Sequence, residues 1–144
     1  MLFHASIPAD DPEHVARVIA ELWGGETLPF PPFPGAFIVL SGDERSTVLD
    51  VYPRGQEHVP AQGEYAVRTN PAPRPHCEVH LAIGTVLSAE EGIALAAREG
   101  WLAQRPPRGG LFDVIEFWHE NKFLLELLPE PERRRYVENV TAEG

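Results

Sequence analysis

Two histidines and two carboxylates recur at one spacing in the two halves of this 144-residue chain. His4 precedes Asp50 and His80 precedes Glu126 by the same interval, since 50 − 4 and 126 − 80 are both 46. Each acid lies in a short aliphatic run that ends in proline, where an unpartnered carboxylate would be costly. Two imidazoles and two carboxylates can together hold a divalent cation, so these four residues are candidate metal ligands.

The matched pairs belong to an internal repeat with an offset of 76 residues. This offset places Ile7 on Ile83 and residues 48–53 (VLDVYP) on residues 124–129 (LLELLP). The repeat predicts a first module over residues 1–70 and a second over residues 71–129, followed by a charged surface helix and tail over 130–144. We expect one structural domain overall, with a stiff connector at residues 70–75, which contain three prolines.

Each module is predicted to have the order β-α-β-β-β, which gives an α+β fold class. In the first module a strand over residues 2–8 leads to a helix capped by Asp11 and ended by Gly24. A short strand near residues 26–28 precedes a hairpin of residues 35–40 and 45–52. The second module repeats this order with a strand over 77–83, a capping box at Ser88, a helix to Arg98, a short strand near 102–104 and a hairpin of 111–118 and 123–128.

Strand periodicity separates the candidate ligands from the large aliphatic residues. Residues of one parity share a face, so His4 is expected to lie on the face opposite Ile7, and His80 on the face opposite Ile83. His76 and Glu78 are expected on the strand face of His80, but the repeat pairs only His80 with His4. We interpret four further residues as pocket lining, and expect His119 to approach the same cavity; the four are Ser6, Tyr52, Glu116 and Trp118.

Paired βαβββ modules, with a histidine in the first strand and an acid in the last strand of each, resemble the vicinal oxygen chelate superfamily. This superfamily includes glyoxalase I, fosfomycin-resistance thiol transferases, bleomycin-resistance proteins and extradiol dioxygenases. Residues 4–11 and 122–127 (KFLLEL) look most like family motifs. The resemblance implies that the two modules form a curved mixed-sheet half-barrel around a divalent metal ion. It also implies ligands at the positions of His4, Asp50, His80 and Glu126. Many relatives use only three protein ligands, and in that alternative Asp50 contacts the substrate or an adjacent group. Two histidines and one carboxylate with open positions suit Zn, Ni, Fe or Mn, and the sequence does not choose among these metals.

Two main functions remain open at this point, and both have a small molecule as partner. The first is a metal-dependent lyase or isomerase that acts on a small oxygen-rich substrate, with Glu126 moving a proton. The alternative is a metal-free protein that sequesters an antibiotic-like molecule, similar to bleomycin-resistance proteins. A third interpretation is that the modules exchange between subunits and the site serves assembly. A homodimer is expected, because small relatives have exposed sheet edges.

Composition excludes several other classes of function. Lys and Arg number 12 against 22 Asp and Glu, which gives a net charge of −10 and argues against binding to nucleic acid or to an anionic membrane surface. Cys77 is the only cysteine and cannot form an internal disulfide. The sequence has no export signal and no long apolar run, so a cytoplasmic location is expected.

Overall fold

The computed structural model describes residues 2–62, 66–106 and 112–140 of the chain. These residues form three helices and ten strands in two four-stranded mixed sheets and one two-stranded sheet. The predicted α+β class is therefore confirmed. The chain divides into two compact units, the first containing the N-terminal residues through Glu21 and Gly25–Pro75, the second containing Leu22–Gly24 and the residues from His76 onward.

The first unit contains the first βαβββ series. Its elements are β1 (His4–Ala9), α1 (Pro12–Trp23, of which the last two residues group with the second unit), β2 (Glu26–Pro29), β3 (Phe37–Leu40) and β4 (Val48–Pro53). The strand order is β1-β4-β3-β2, with β1 parallel to β4 and the other pairs antiparallel. Helix α1 begins where predicted, because the Asp11 side chain accepts a hydrogen bond from the His14 backbone N–H (3.1 Å).

A second hairpin in the first unit was not predicted from the sequence. It consists of β5 (Gln56–Val59) and β6 (Ala66–Thr69) in antiparallel register. Gly55 introduces it with a φ of +93°, and a Cβ there would lie 2.6 Å from the Asn70 carbonyl oxygen, so only glycine fits. Across the hairpin Arg68 pairs with Glu57, and this ion pair helps to hold together two strands that are rich in polar residues.

The second unit repeats the series and adds a helix. Its elements are β7 (Leu81–Gly84), α2 (Ala89–Glu99), β8 (Leu102–Gln104), β9 (Ile115–His119), β10 (Phe123–Leu128) and α3 (Glu130–Asn139). The strand order is β7-β10-β9-β8, again with one parallel pair, β7 with β10. Helix α2 has the predicted capping box, in which Ser88 and Glu91 bond to each other's backbone N–H, and it ends at Gly100 with a φ of +72°.

The repeat extends to the register of the parallel strand pairs. Ser6 lies opposite Asp50 in the first unit, and Ala82 lies opposite Glu126 in the second. Both members of the second pair follow those of the first by 76 positions, so the sequence offset corresponds to an equivalent backbone arrangement.

Several strand boundaries differ from those predicted, among them the starts of β7 and β9. Strand β7 begins at Leu81, so residues 76–80 precede it and the expected common strand face of His76, Glu78 and His80 is wrong. Strand β9 begins at Ile115, whereas the predicted start at Leu111 lies outside the described residues. Among the described residues, no helix has both the length and the apolar character needed to cross a bilayer.

Candidate functional site

Each four-stranded sheet has one mostly buried, aliphatic face and one face that carries the polar residues. In the first unit the buried face includes Ile7, Leu49 and Val51, whose exposures are at most 3%. The alternate residues of the same strands form the other face, which we call the open face of the sheet; they include His4, Ser6, Asp50 and Tyr52. The predicted separation of aliphatic and polar positions is therefore present in these strands.

Asp50 is surrounded by polar groups of the first unit. Ser6, its direct neighbour on β1, donates a hydrogen bond to the Asp50 carboxylate, and His4 and His58 act on it electrostatically. Partial burial is nevertheless the largest influence, and it raises the pKa of Asp50 above its ordinary value. His4, Ser6 and Asp50, which are all predicted site residues, therefore lie on one open face. His58, which was not predicted, also acts on Asp50.

Tyr52 lies two residues beyond Asp50 and belongs to an aromatic cluster. Its ring centroid is 5.2 Å from that of Phe33, 6.4 Å from that of Phe30 and 5.1 Å from that of His58. Sequence reasoning gave His58 no role, because it did not recognise β5.

His80 and Glu126 form the corresponding pair of the second unit. His80 Nε2 lies 3.9 Å from Glu126 Oε2, and the side chains are 53% and 12% exposed. The imidazole is thus accessible, while the carboxylate is mostly covered by its neighbours. Zinc binds histidine nitrogen and carboxylate oxygen at about 2.1 Å, so donor atoms at this separation can both contact one ion.

Two other predicted pocket residues lie on the open face of the second sheet. Glu116 is directly opposite Glu126 in the antiparallel β9–β10 pair, and its carboxylate accepts a hydrogen bond from Gln104 Nε2 (2.7 Å). Trp118, two residues further along β9, makes an edge contact with His76 at a centroid distance of 6.1 Å. Gln104 was not singled out from the sequence, although its strand was.

His119 does not line this face. Strand β9 extends through His119, so strand alternation turns its side chain to the face opposite Trp118. The residue is completely buried, with ring centroids 6.3 Å from Trp101 and 5.2 Å from Phe123. The expectation that it approaches the cavity beside Glu116 is therefore wrong.

The donor chemistry of each pair fits a divalent metal ion, but neither pair is a complete centre. Within the described ranges, no group of three or more histidine, cysteine, aspartate or glutamate side chains has an arrangement that could hold an ion. The first unit presents His4 and His58 near Asp50, and the second presents His80 near Glu126 with Glu116 opposite.

A cavity of about 220 Å³ in the second unit lies apart from these residues. Its lining includes the start of α2 and the ion pair between Arg105 Nη2 and Asp113 Oδ2, which are 2.7 Å apart. None of the predicted site residues lines it. Arg105 Nη2 also lies 3.8 Å from Oε1 of Glu132 in α3. The cavity is therefore bounded by charged side chains that pair with one another.

Several solved structures share the fold of this chain across nearly their whole length. The fosfomycin resistance protein FosX from Listeria monocytogenes, complexed with Mn(II) and sulfate ion, has a TM-score of 0.62 at 13% identity, covering 96% of both chains. The trypanothione-dependent glyoxalase I of Leishmania major has a TM-score of 0.51 at 19% identity, covering 96% of this chain and 92% of that one. A possible glyoxalase from Bacillus cereus has a TM-score of 0.52 at 11% identity, covering 89% and 97%.

The sequence itself matches no family model and no curated protein. At such low identity the structural likeness establishes the fold. The chain therefore has the fold shared by these fosfomycin-resistance and glyoxalase structures, which is the type of fold that its repeated modules predicted.

Proposed function

We propose that this protein is a metal-dependent lyase or isomerase acting on a small oxygen-rich molecule. In this proposal His4, Asp50, His80 and Glu126 are the ligands of one divalent ion. The observation that carries it is repeated in both units: a carboxylate on the open face of the sheet, partly buried or largely covered, has an imidazole acting on it. Support also comes from the Mn(II) complex of a protein with this fold.

The bound ion would supply Lewis acidity, polarising a substrate oxygen. The chain's own residues then have separate tasks. Glu126, mostly covered and beside His80, accepts and returns a substrate proton. Ser6 orients the Asp50 carboxylate through its hydrogen bond. Glu116 and Trp118 on one sheet, and Tyr52 on the other, line the space for substrate.

Metal content tests the proposal directly. Protein purified without chelator is incubated separately with Zn²⁺, Mn²⁺, Ni²⁺ and Fe²⁺, desalted, and analysed for bound metal. We expect one ion per chain for at least one of these metals. His80→Ala and His4→Ala should each weaken binding by at least about tenfold, because each removes a ligand.

Matched controls separate ligand loss from a general effect of substitution. His14→Ala removes an imidazole on α1, and should leave metal binding unchanged. Failure of every metal to bind would reject the enzyme and favour the metal-free sequestering protein. Loss of binding in His80→Ala but not in His4→Ala would contradict the shared set of four ligands.

A further inference from the structure

The β5–β6 hairpin is an addition to the duplicated scaffold. In the first unit the chain leaves β4 and forms this hairpin. In the second unit it passes from β10, the strand equivalent to β4, through Pro129 into α3. The same βαβββ series is thus followed by a hairpin in one unit and by a helix in the other. The four-stranded sheet itself therefore does not require a hairpin at this point.

Polar contacts between its two sides fix the shape of the hairpin. Glu57 on β5 pairs with Arg68 on β6 and accepts a hydrogen bond from Asn70 Nδ2 (2.8 Å). The bonds from Arg68 and Asn70 lower the pKa of Glu57, so they hold its carboxylate in the ionised form. His58 is the next residue along β5. The hairpin therefore presents this histidine from a paired strand.

His58 reaches the open face of the first sheet beside Asp50. Its ring centroid lies 5.1 Å from that of Tyr52, and the two ring planes are 80° apart. Tyr52 and Asp50 project from the same face of β4, two residues apart, which is about 7 Å along a strand. His58 also acts electrostatically on the Asp50 carboxylate. The imidazole therefore lies on the side of the sheet that carries His4 and Asp50, the candidate ligands of this unit.

Exposure distinguishes His58 from the aromatic side chain that it contacts. Tyr52 is only 5% exposed, so its ring is covered by its neighbours. His58 is exposed, although the residues on either side of it in β5 are half-buried. An imidazole carries at least one N–H donor in either protonation state, and the neutral ring also has an acceptor nitrogen. A small molecule bound at Asp50 would thus meet an accessible imidazole that can form hydrogen bonds.

Resting on the proposed function, we infer that His58 is a substrate-binding residue that donates a hydrogen bond to an oxygen of the molecule held at Asp50. The first unit then has separate groups for the two partners: His4 and Asp50 bind the ion, and His58 binds the substrate. The substrate class is correspondingly narrower. It is a small molecule with a hydroxyl or carbonyl oxygen in addition to the oxygens that coordinate the ion.

The test uses two pairs of chelators, and within each pair a hydroxyl replaces a methyl group. Glycolohydroxamate is compared with propanohydroxamate, and 3-hydroxypropanohydroxamate with butanohydroxamate. Dissociation constants are measured by calorimetry on the full chain loaded with Mn²⁺. In wild type we expect the hydroxyl to tighten binding about fivefold in at least one pair, which corresponds to one added hydrogen bond.

Three variants separate hydrogen bonding from ring packing. His58→Phe keeps a ring that can pack on Tyr52 but has no N–H, so the gain from the hydroxyl should disappear. His58→Gln has an N–H donor and should retain part of the gain. His14→Ala, the loss of an imidazole on α1, should leave the gain unchanged. Because the gain is a ratio within one variant, a change in the fraction of folded protein does not alter it.

The outcomes that overturn the inference differ from those that reject the proposed function. An equal gain in wild type and His58→Phe would leave His58 with a packing role only, and no gain in either pair would remove its contact with substrate. Weaker Mn²⁺ binding by both His58→Phe and His58→Gln would make His58 a support of the ion and would also overturn the inference. In each case wild type binds Mn²⁺. Failure of wild type to bind Mn²⁺ rejects the proposed function itself.

Discussion

Two aspartates of the first unit show opposite effects of their surroundings on the carboxylate. Asp43, in the β3–β4 turn, accepts hydrogen bonds from the Thr47 hydroxyl (2.6 Å) and backbone (2.9 Å), which lower its pKa to about 2. Asp50 has a raised pKa, chiefly because of burial. The ionised form of Asp43 therefore stabilises its turn, whereas the ionised form of Asp50 lowers the stability of the folded chain.

Asp50→Asn should therefore stabilise the metal-free protein at neutral pH. A raised folded-state pKa means that the Asp50 side chain contributes most to folding stability below its unfolded-state pKa, where it is protonated. This contribution is lost as the pH rises through the folded-state pKa. Asparagine retains an oxygen that can accept the Ser6 hydrogen bond, and it removes the charge. Thermal unfolding at pH 7 should show a higher midpoint than wild type, and a lower midpoint would contradict this account of Asp50.

Asp43→Asn should have the opposite effect. A lowered folded-state pKa gives stability that is present above the unfolded-state value of about 3.8 and is lost as pH falls through about 2. The variant should unfold at a lower temperature than wild type at pH 7, with the difference shrinking toward pH 2. A difference that does not change with pH would point to lost hydrogen-bond geometry in place of lost charge.

Among the secondary-structure elements, those defined by local sequence signals could be predicted. Those held together by contacts between distant residues were harder to predict. Both βαβββ series were predicted because proline, glycine and capping residues define helix ends locally. Alternation likewise placed His4 on the strand face opposite Ile7, as the structure has it. The β5–β6 hairpin was missed because its strands are held by polar pairs such as Arg68–Glu57, which leave no apolar periodicity.

Errors at the candidate site have a similar origin. His80 precedes β7, so its position depends on the chain before the strand and not on strand parity. His119 was assigned to a turn, but β9 extends one residue further and turns it into the buried face. The approach of His58 to Tyr52 depends on the hairpin that the sequence pattern did not reveal.

The capping box of α2 offers a test of an element that was predicted in detail. Ser88→Ala removes the acceptor for the Glu91 N–H and should lower the free energy of unfolding by about 1 kcal/mol. Glu90→Gln, a change in the same turn outside the box, is the matched control. Denaturant titration of both variants measures the difference, and equal stability of Ser88→Ala and wild type would exclude a contribution from the cap.

For the whole molecule, a homodimer stays a prediction. Strands β1 and β2 end one four-stranded sheet, and β7 and β8 end the other. Terminal strands present backbone groups to which another chain can add. Light scattering coupled to size-exclusion chromatography should give a mass of about 32 kDa, twice the 16.0 kDa of one chain. A mass near that of one chain would reject the dimer.

The chain enters and leaves the β5–β6 hairpin at adjacent points. The Asn70 backbone N–H donates to the Gly55 carbonyl at 2.7 Å, so the ends of this excursion are already joined. Deletion of residues 56–69 would consequently leave the connections between strands β1–β4 intact. Such a hairpin could be lengthened, shortened or replaced during evolution without a change in the four-stranded sheet. Its loss would remove the His58 imidazole that contacts Tyr52.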